Sequence, residues 1–133
     1  MVYIKYKIIY IGVNSSVESS MIYGSQYDAM INWVKNGKNE DSKAKISSNS
    51  YGNISSKKNS VTGADDYSND CINNIMDLGG NLSEWTLEAN DSTRRVMRGG
   101  NFSSAYSPSC RTDGCPDFKG KFAGSRLALY ISL

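Results

Sequence analysis

Four turn signals cut the second half of this chain into pieces too short for helices: Gly79-Gly80, Asn90-Asp91, Gly99-Gly100 and Asp113-Gly114. Glycine, asparagine and aspartate tolerate the backbone angles that reverse a chain, so what lies between them reads as short strands. Those pieces are residues 81–87, 94–98 and 125–133. In the last, Leu127, Leu129 and Ile131 alternate with Arg126, Ala128 and Tyr130, the period of a strand. Residues 2–11 alternate likewise, with Val2, Ile4, Tyr6, Ile8 and Tyr10 opposite Tyr3, Lys5, Lys7, Ile9 and Ile11. Residues 14–20 read as a polar connection.

One helix stands out. Tyr27, Met30, Ile31 and Val34 fall at i, i+3, i+4 and i+7, which puts them on one face of a helix over roughly 26–35. Ser25 is placed to cap it, Asp28 to complete a capping box, and Gly37 to stop it. Trp33 flanks the stripe and is expected to pack at its edge. Residues 38–70 are dominated by Ser, Asn, Lys and Gly. Their few apolar residues (Ile46, Tyr51, Ile54, Val61, Tyr67) show no period, so the stretch reads as either a functional surface loop or a partly disordered segment. With 133 residues there is room for one α+β domain with one main helix, short strands and long ordered loops.

The chain has no histidine, which removes the commonest general base and the commonest zinc ligand. Cys71, Cys110 and Cys115 make an odd set, unlike a disulfide scaffold. The net charge of +2 is too small to argue for nucleic acid. Eight lysines against four acidic residues in 1–60 give way to seven basic against nine acidic in 61–133, so the basic excess is spread through polar sequence as a solvated surface. No run approaches the ~20 apolar residues of a membrane span. Residues 1–13 hold lysines and lack a small-residue cleavage site, so they make a poor signal peptide.

Three blocks resemble the formylglycine-generating enzyme (sulfatase-modifying factor) family. Residues 74–86 are similar to its "D-M-A-G-N-V-W-E-W-T", residues 95–102 to "R-V-x-R-G-G-S-W", and residues 124–128 to "G-F-R-L-A". Residues 23–30 are similar to the family's second helix. The resemblance implies a C-type-lectin-like fold over residues 14–133, with 1–13 a separate strand segment that stands in for a missing part of the fold or marks a truncated member. Each block also has its own physical sense. Gly99-Gly100 turns the chain where a Cβ would clash, Asn81 can hold an irregular loop, and Trp85 is large enough to nucleate a core. Arg98 and Arg126 read as scaffold clamps, able to pair with a carboxylate such as Glu84.

Catalytic members carry two copper-binding cysteines after the Arg-Gly-Gly turn. Those positions fall here on Ser104 and Ser109, whose hydroxyls are not soft ligands. Cys110 and Cys115 keep the same spacing but start too far along. Cys110 is expected to be an interior residue and Cys115 incidental. The family's calcium loop, carried over, implies side-chain ligands Asp77 and Glu84 and the carbonyls of Gly80 and Leu82, hard oxygens that suit Ca²⁺.

Residues 101–122 mix Phe102, Tyr106, Phe118 and Phe122 with Ser, Asn, Asp and Gly, a composition like that of antibody contact loops. Phe102 reads as core, and Tyr106 and Phe118 as surface contacts. The expected binding residues are Asn101, Ser103, Ser104, Tyr106, Ser107, Asp113, Asp117 and Phe118. The resemblance implies a noncatalytic recognition domain of the type used by phage or prophage tail proteins and by variable proteins of diversity-generating retroelements. Its target would be a cell-surface protein or glycan, its place the virion or cell surface, and homo-oligomerisation is compatible with it. The alternatives are a formylglycine-generating copper oxidase and a structural tail-fibre domain.

Overall fold

The structure, a computed structural model, describes residues 17–54 and 70–131. The alternating segment 2–11 and the residues Val61 and Tyr67 lie outside the described residues, as do the last two residues of the expected C-terminal strand.

The expected helix is present as α1 (Gly24–Asn36), and its stripe of Tyr27, Ile31 and Val34 is buried. Its start differs from the expectation. Tyr23, not Ser25, is the cap residue, and the Tyr23 backbone N–H donates to Gln26 Oε1 at 3.0 Å. Asp28 instead forms an ion pair with Arg98. Trp33 does not pack at the stripe's edge but projects into solvent, 58 % exposed. A second helix, α2 (Glu40–Ile46), stands in the stretch read as patternless loop. Asn39 Oδ1 accepts from the Ser42 N–H at 3.1 Å, Glu40 and Asp41 sit in the first turn, and Lys43 and Lys45 in the last. A cap and charges that suit the helix dipole start this helix with no apolar stripe. Tertiary burial of Ile46 completes it.

The connection read over 14–20 is in fact a strand. β1 (Val17–Met21) pairs antiparallel with the C-terminal strand, Met21 opposite Leu127. Between them the chain forms β2 (Cys71–Ile72), β3 (Ile75–Met76), β4 (Ser83–Ala89), β5 (Arg95–Arg98), β6 (Arg111–Gly114), β7 (Ala123–Ser125) and β8 (Leu127–Ile131). The expected single strand over 125–133 therefore breaks at Arg126, β7 joining one sheet and β8 the other. β2 and β3 form a hairpin whose two loop residues, Asn73 and Asn74, have φ of 48° and 65°. Positive φ at both positions is what a tight hairpin turn requires, and asparagine tolerates it.

The main sheet runs β6-β5-β4-β7, with β4 and β7 parallel and the other neighbours antiparallel. The core lies under one face of it: Ile22, Tyr27, Ile31, Val34, Ile46, Tyr51, Ile72 and Leu78. Ile46 and Tyr51 belong to it although their spacing gave no sign of burial. Trp85 is not its nucleus, being half-buried and turned away from this cluster. Arg98 on β5 is a clamp, as expected, but not onto Glu84. Its guanidinium lies 5.0 Å from the centre of the Tyr27 ring, and the Tyr27 hydroxyl donates to Pro108 O at 3.2 Å. Burial pulls the Arg98 pKa down and pushes that of Tyr27 up. Gly99, at φ 71°, makes the turn that follows, and a Cβ there would stand 2.8 Å from Leu78 O. Only glycine fits.

Candidate functional site

The stretch 77–84, the loop after β3 together with the first two residues of β4, is held by left-handed residues: Asp77 at φ 52°, Gly80 at 74° and Asn81 at 49°. Asp77 N–H donates to Asp70 O at 2.8 Å, and Asn81 N–H to Asn53 O at 2.8 Å. Asn81 Nδ2 donates to Asp77 Oδ2 at 2.9 Å, the local loop-holding role expected for asparagine. Arg126, at the break between β7 and β8, reaches into this loop. Its Nε donates to Glu84 Oε2 at 3.1 Å, and Nη2 donates to Glu84 Oε1 at 2.5 Å and to Met76 O at 2.8 Å. Glu84 and Arg126 thus make a two-point pair, as the sequence suggested. Burial pushes the Glu84 carboxyl above its ordinary range, although Arg126 pulls it down. For Arg126, burial opposes the charge and Glu84 more than offsets it.

These side chains border a cavity of about 420 Å³ lined by Met76, Asp77, Asn81, Leu82, Glu84 and Arg126. Asp77 Oδ1 and Asn81 Oδ1 are buried without a hydrogen-bond partner among the described residues. Hard oxygens of this kind suit a dication, but Glu84 does not offer another. Both its oxygens are engaged by Arg126, whose positive charge shares the cavity. As the side chains stand, the calcium ligand set implied by the family resemblance does not fit, since a dication would have to displace a guanidinium.

Residues 101–122 are distributed about both ends of β6. Asn101 and Ser104 close a tight turn by mutual backbone bonds of 3.1 and 3.2 Å, and Asn101 Oδ1 accepts from Ser103 N–H at 2.9 Å. Tyr106 follows, 47 % exposed, and Ser107 N–H donates to Asn49 Oδ1 at 2.9 Å. All of this lies beside the end of the sheet where Arg98 pairs with Arg111. Asp113, near the other end of β6, accepts from Asn90 Nδ2 at 2.9 Å and from Arg94 Nη1 at 3.3 Å. Asp117 is exposed and Phe118 is 50 % exposed. The two aromatic candidates thus flank opposite ends of β6, which are roughly 10 Å apart on strand geometry alone. Phe102 is half-buried rather than core, its ring centre 5.3 Å from that of Phe122.

Cys110 is half-buried and Cys115 exposed. They bracket β6, so an extended strand holds their Cα atoms roughly 17 Å apart.

Sequence reasoning missed a second set of residues. Trp85 and Met97 are register partners, and Arg95 lies two residues from Met97, so all three share the face of the sheet turned away from α1. The connection 115–122 carries the chain from β6 at one edge to β7 at the other and crosses this face. Beneath it is a cavity of about 590 Å³ lined by Met21, Trp85, Arg95, Pro116, Phe118 and Lys119, among others. The period-two spacing of Arg95 and Met97 was visible in the sequence, but the crossover that roofs them was not.

Residues 22–131 match the sulfatase-modifying factor enzyme 1-like domain. No curated protein and no solved structure matches the chain.

Proposed function

The chain belongs to the sulfatase-modifying factor enzyme 1-like domain family, and on that premise we propose that it is a noncatalytic recognition domain. The observation that carries this reading is the placement of its sulfur atoms. Ser104 and Ser109 occupy the positions where the family resemblance calls for copper-binding thiols. The two cysteines nearest in sequence sit at opposite ends of β6. One ion held by two sulfurs needs them within roughly 5 Å, twice a metal–sulfur bond of about 2.3 Å. Strand geometry sets the Cα atoms of Cys110 and Cys115 roughly 17 Å apart, a gap that two thiol side chains cannot close.

Recognition is supported by the loops. Tyr106 and Phe118 are large, half-exposed rings on connections anchored by a hydrogen-bonded sheet. Such side chains offer contact area while losing little rotamer freedom, and a rigid scaffold spares the cost of ordering the loops. On the C-type-lectin-like scaffold that the family resemblance implies, the target is a cell-surface protein or glycan. It is met in the manner of phage, prophage or retroelement-diversified surface proteins.

The test has two arms. The purified chain is screened against glycans and surface proteins with Tyr106→Ala and Phe118→Ala alongside, and it is incubated with copper and a cysteine peptide of the sulfatase type. Binding that either substitution weakens, with melting temperature unchanged, supports the reading. Conversion of the cysteine to formylglycine overturns it.

A further inference from the structure

We propose that the space under the crossover 115–122 binds a carboxylate carried on a six-membered ring. This rests on the recognition reading and names the class of group recognised.

One guanidinium lacks a counter-charge among the described residues. The chain has five arginines, and four are paired with carboxylates: Arg94 with Asp113, Arg98 with Asp28, Arg111 with Glu88 and Arg126 with Glu84. Arg95 alone has no carboxylate partner among the described residues. Its Nη1 donates to the carbonyls of Asp91 at 3.3 Å and Arg94 at 3.1 Å, which fixes the side chain from one side. The Nε and Nη2 edge has no partner among the described residues. That edge is the one that grips a carboxylate at two points. Lys119, across the cavity, has no ion-pair partner among the described residues either, and none of their acidic side chains lines the space.

Aromatic rings wall the same space. Trp85 lies across Gly114, where a Cβ would stand 3.0 Å from Cη2 of its ring and 3.2 Å from Cε of Met97. The Phe118 ring is seated directly on Gly120, in the space a Cβ would take, and the Phe118 backbone N–H donates to Cys115 O at 2.9 Å. Both rings therefore occupy places that missing side chains keep open. Rings exposed on one side, in a cavity of about 590 Å³, accept the flat or C–H-rich face of a small ring. A neutral ring would cover Arg95 and Lys119 without pairing them, and burying unpaired charge is costly. A ring carboxylate satisfies wall and cation together. Its source is either an acidic sugar of a surface glycan or an aromatic acid.

The probes are glucuronate and benzoate, with glucose and benzyl alcohol as neutral counterparts. They are titrated into the full chain carrying Trp33→Phe, so that Trp85 is its only tryptophan. The expected result is saturable change in Trp85 emission by at least one acid, with the matching neutral compound at least about tenfold weaker. Arg95→Gln is expected to weaken the acid by about tenfold or more, the loss of a charge-assisted contact. Lys119→Gln, on an exposed side chain, gives a smaller loss in the same direction and serves if Arg95→Gln does not fold. Glucuronate alone saturating assigns an acidic sugar, and benzoate alone an aromatic acid. Neither acid saturating, neutral compounds binding equally well, or indifference to both substitutions overturns the proposal. A surface target that depends on Tyr106 but ignores Arg95→Gln would sink this site and leave the recognition reading standing. Acid binding that needs Arg95, in a chain that also makes formylglycine, would do the reverse.

Discussion

Arg126→Met tests the arrangement on which the 77–84 loop depends. The substitution keeps an apolar stem but removes both hydrogen bonds to Glu84 and the one to Met76 O. Glu84, whose side chain is 12 % exposed, is left as a buried carboxylate with no counter-charge. Breaking a buried pair from one side costs about 3–5 kcal/mol, and because the Arg126 side chain is 28 % exposed the lower end applies, about 3 kcal/mol. Unfolding entropy of about 2.1 cal/mol/K per residue gives roughly 0.28 kcal/mol/K for 133 residues, so the melting temperature should fall by about 11 °C. Adding Glu84→Gln removes the stranded charge and should recover a large part of that loss, for a coupling of about 2 kcal/mol. The pH dependence follows in sign. Burial already raises the Glu84 carboxyl, and losing Arg126 raises it further. The folded state then holds a proton that the unfolded state has released. Stability from this group is full below the ordinary carboxyl range and is lost as pH rises through the raised value. The deficit of Arg126→Met should therefore be small near pH 4 and full at neutral pH. Melting curves followed by circular dichroism at both pH values decide the matter. A deficit that does not change with pH, or additive single substitutions, would refute the argument.

Three further outcomes are expected. Asn39→Ala removes the cap of α2 and should cost about 1 kcal/mol in urea unfolding, with no change in the slope against denaturant. Gly99→Ala sets a Cβ against Leu78 O at a positive φ and should cost about 2 kcal/mol or more, read from the same curves. Tyr27→Phe deletes the buried hydroxyl that reaches Pro108 O and should cost about 1 kcal/mol, leaving that carbonyl without its donor.

Much of this protein could be read from its residues in order. The α1 stripe, the turns at Gly99 and in the 77–84 loop, the cores of β4 and β5, and the pairing of Glu84 with Arg126 all followed from spacing or from the blocks shared with the family. The serines at 104 and 109 were equally plain. These features depend on neighbours a few residues away, or on a residue type standing at a given place. What the sequence left open was every choice made by distant chain. α2 exists because Ile46 finds the core, β1 because β8 lies beside it, and the strand over 125–133 breaks because Arg126 must reach Glu84. Trp33 reads as an edge residue of the helix stripe and Trp85 as a core nucleus, yet one faces solvent and the other a cavity, because burial depends on which layer lands on a face. Nothing along the chain marked Arg95 until the fold had supplied each of the four other arginines with a carboxylate. Local geometry is written along the chain, while burial and charge pairing are properties of the space between segments and exist only once that space has closed.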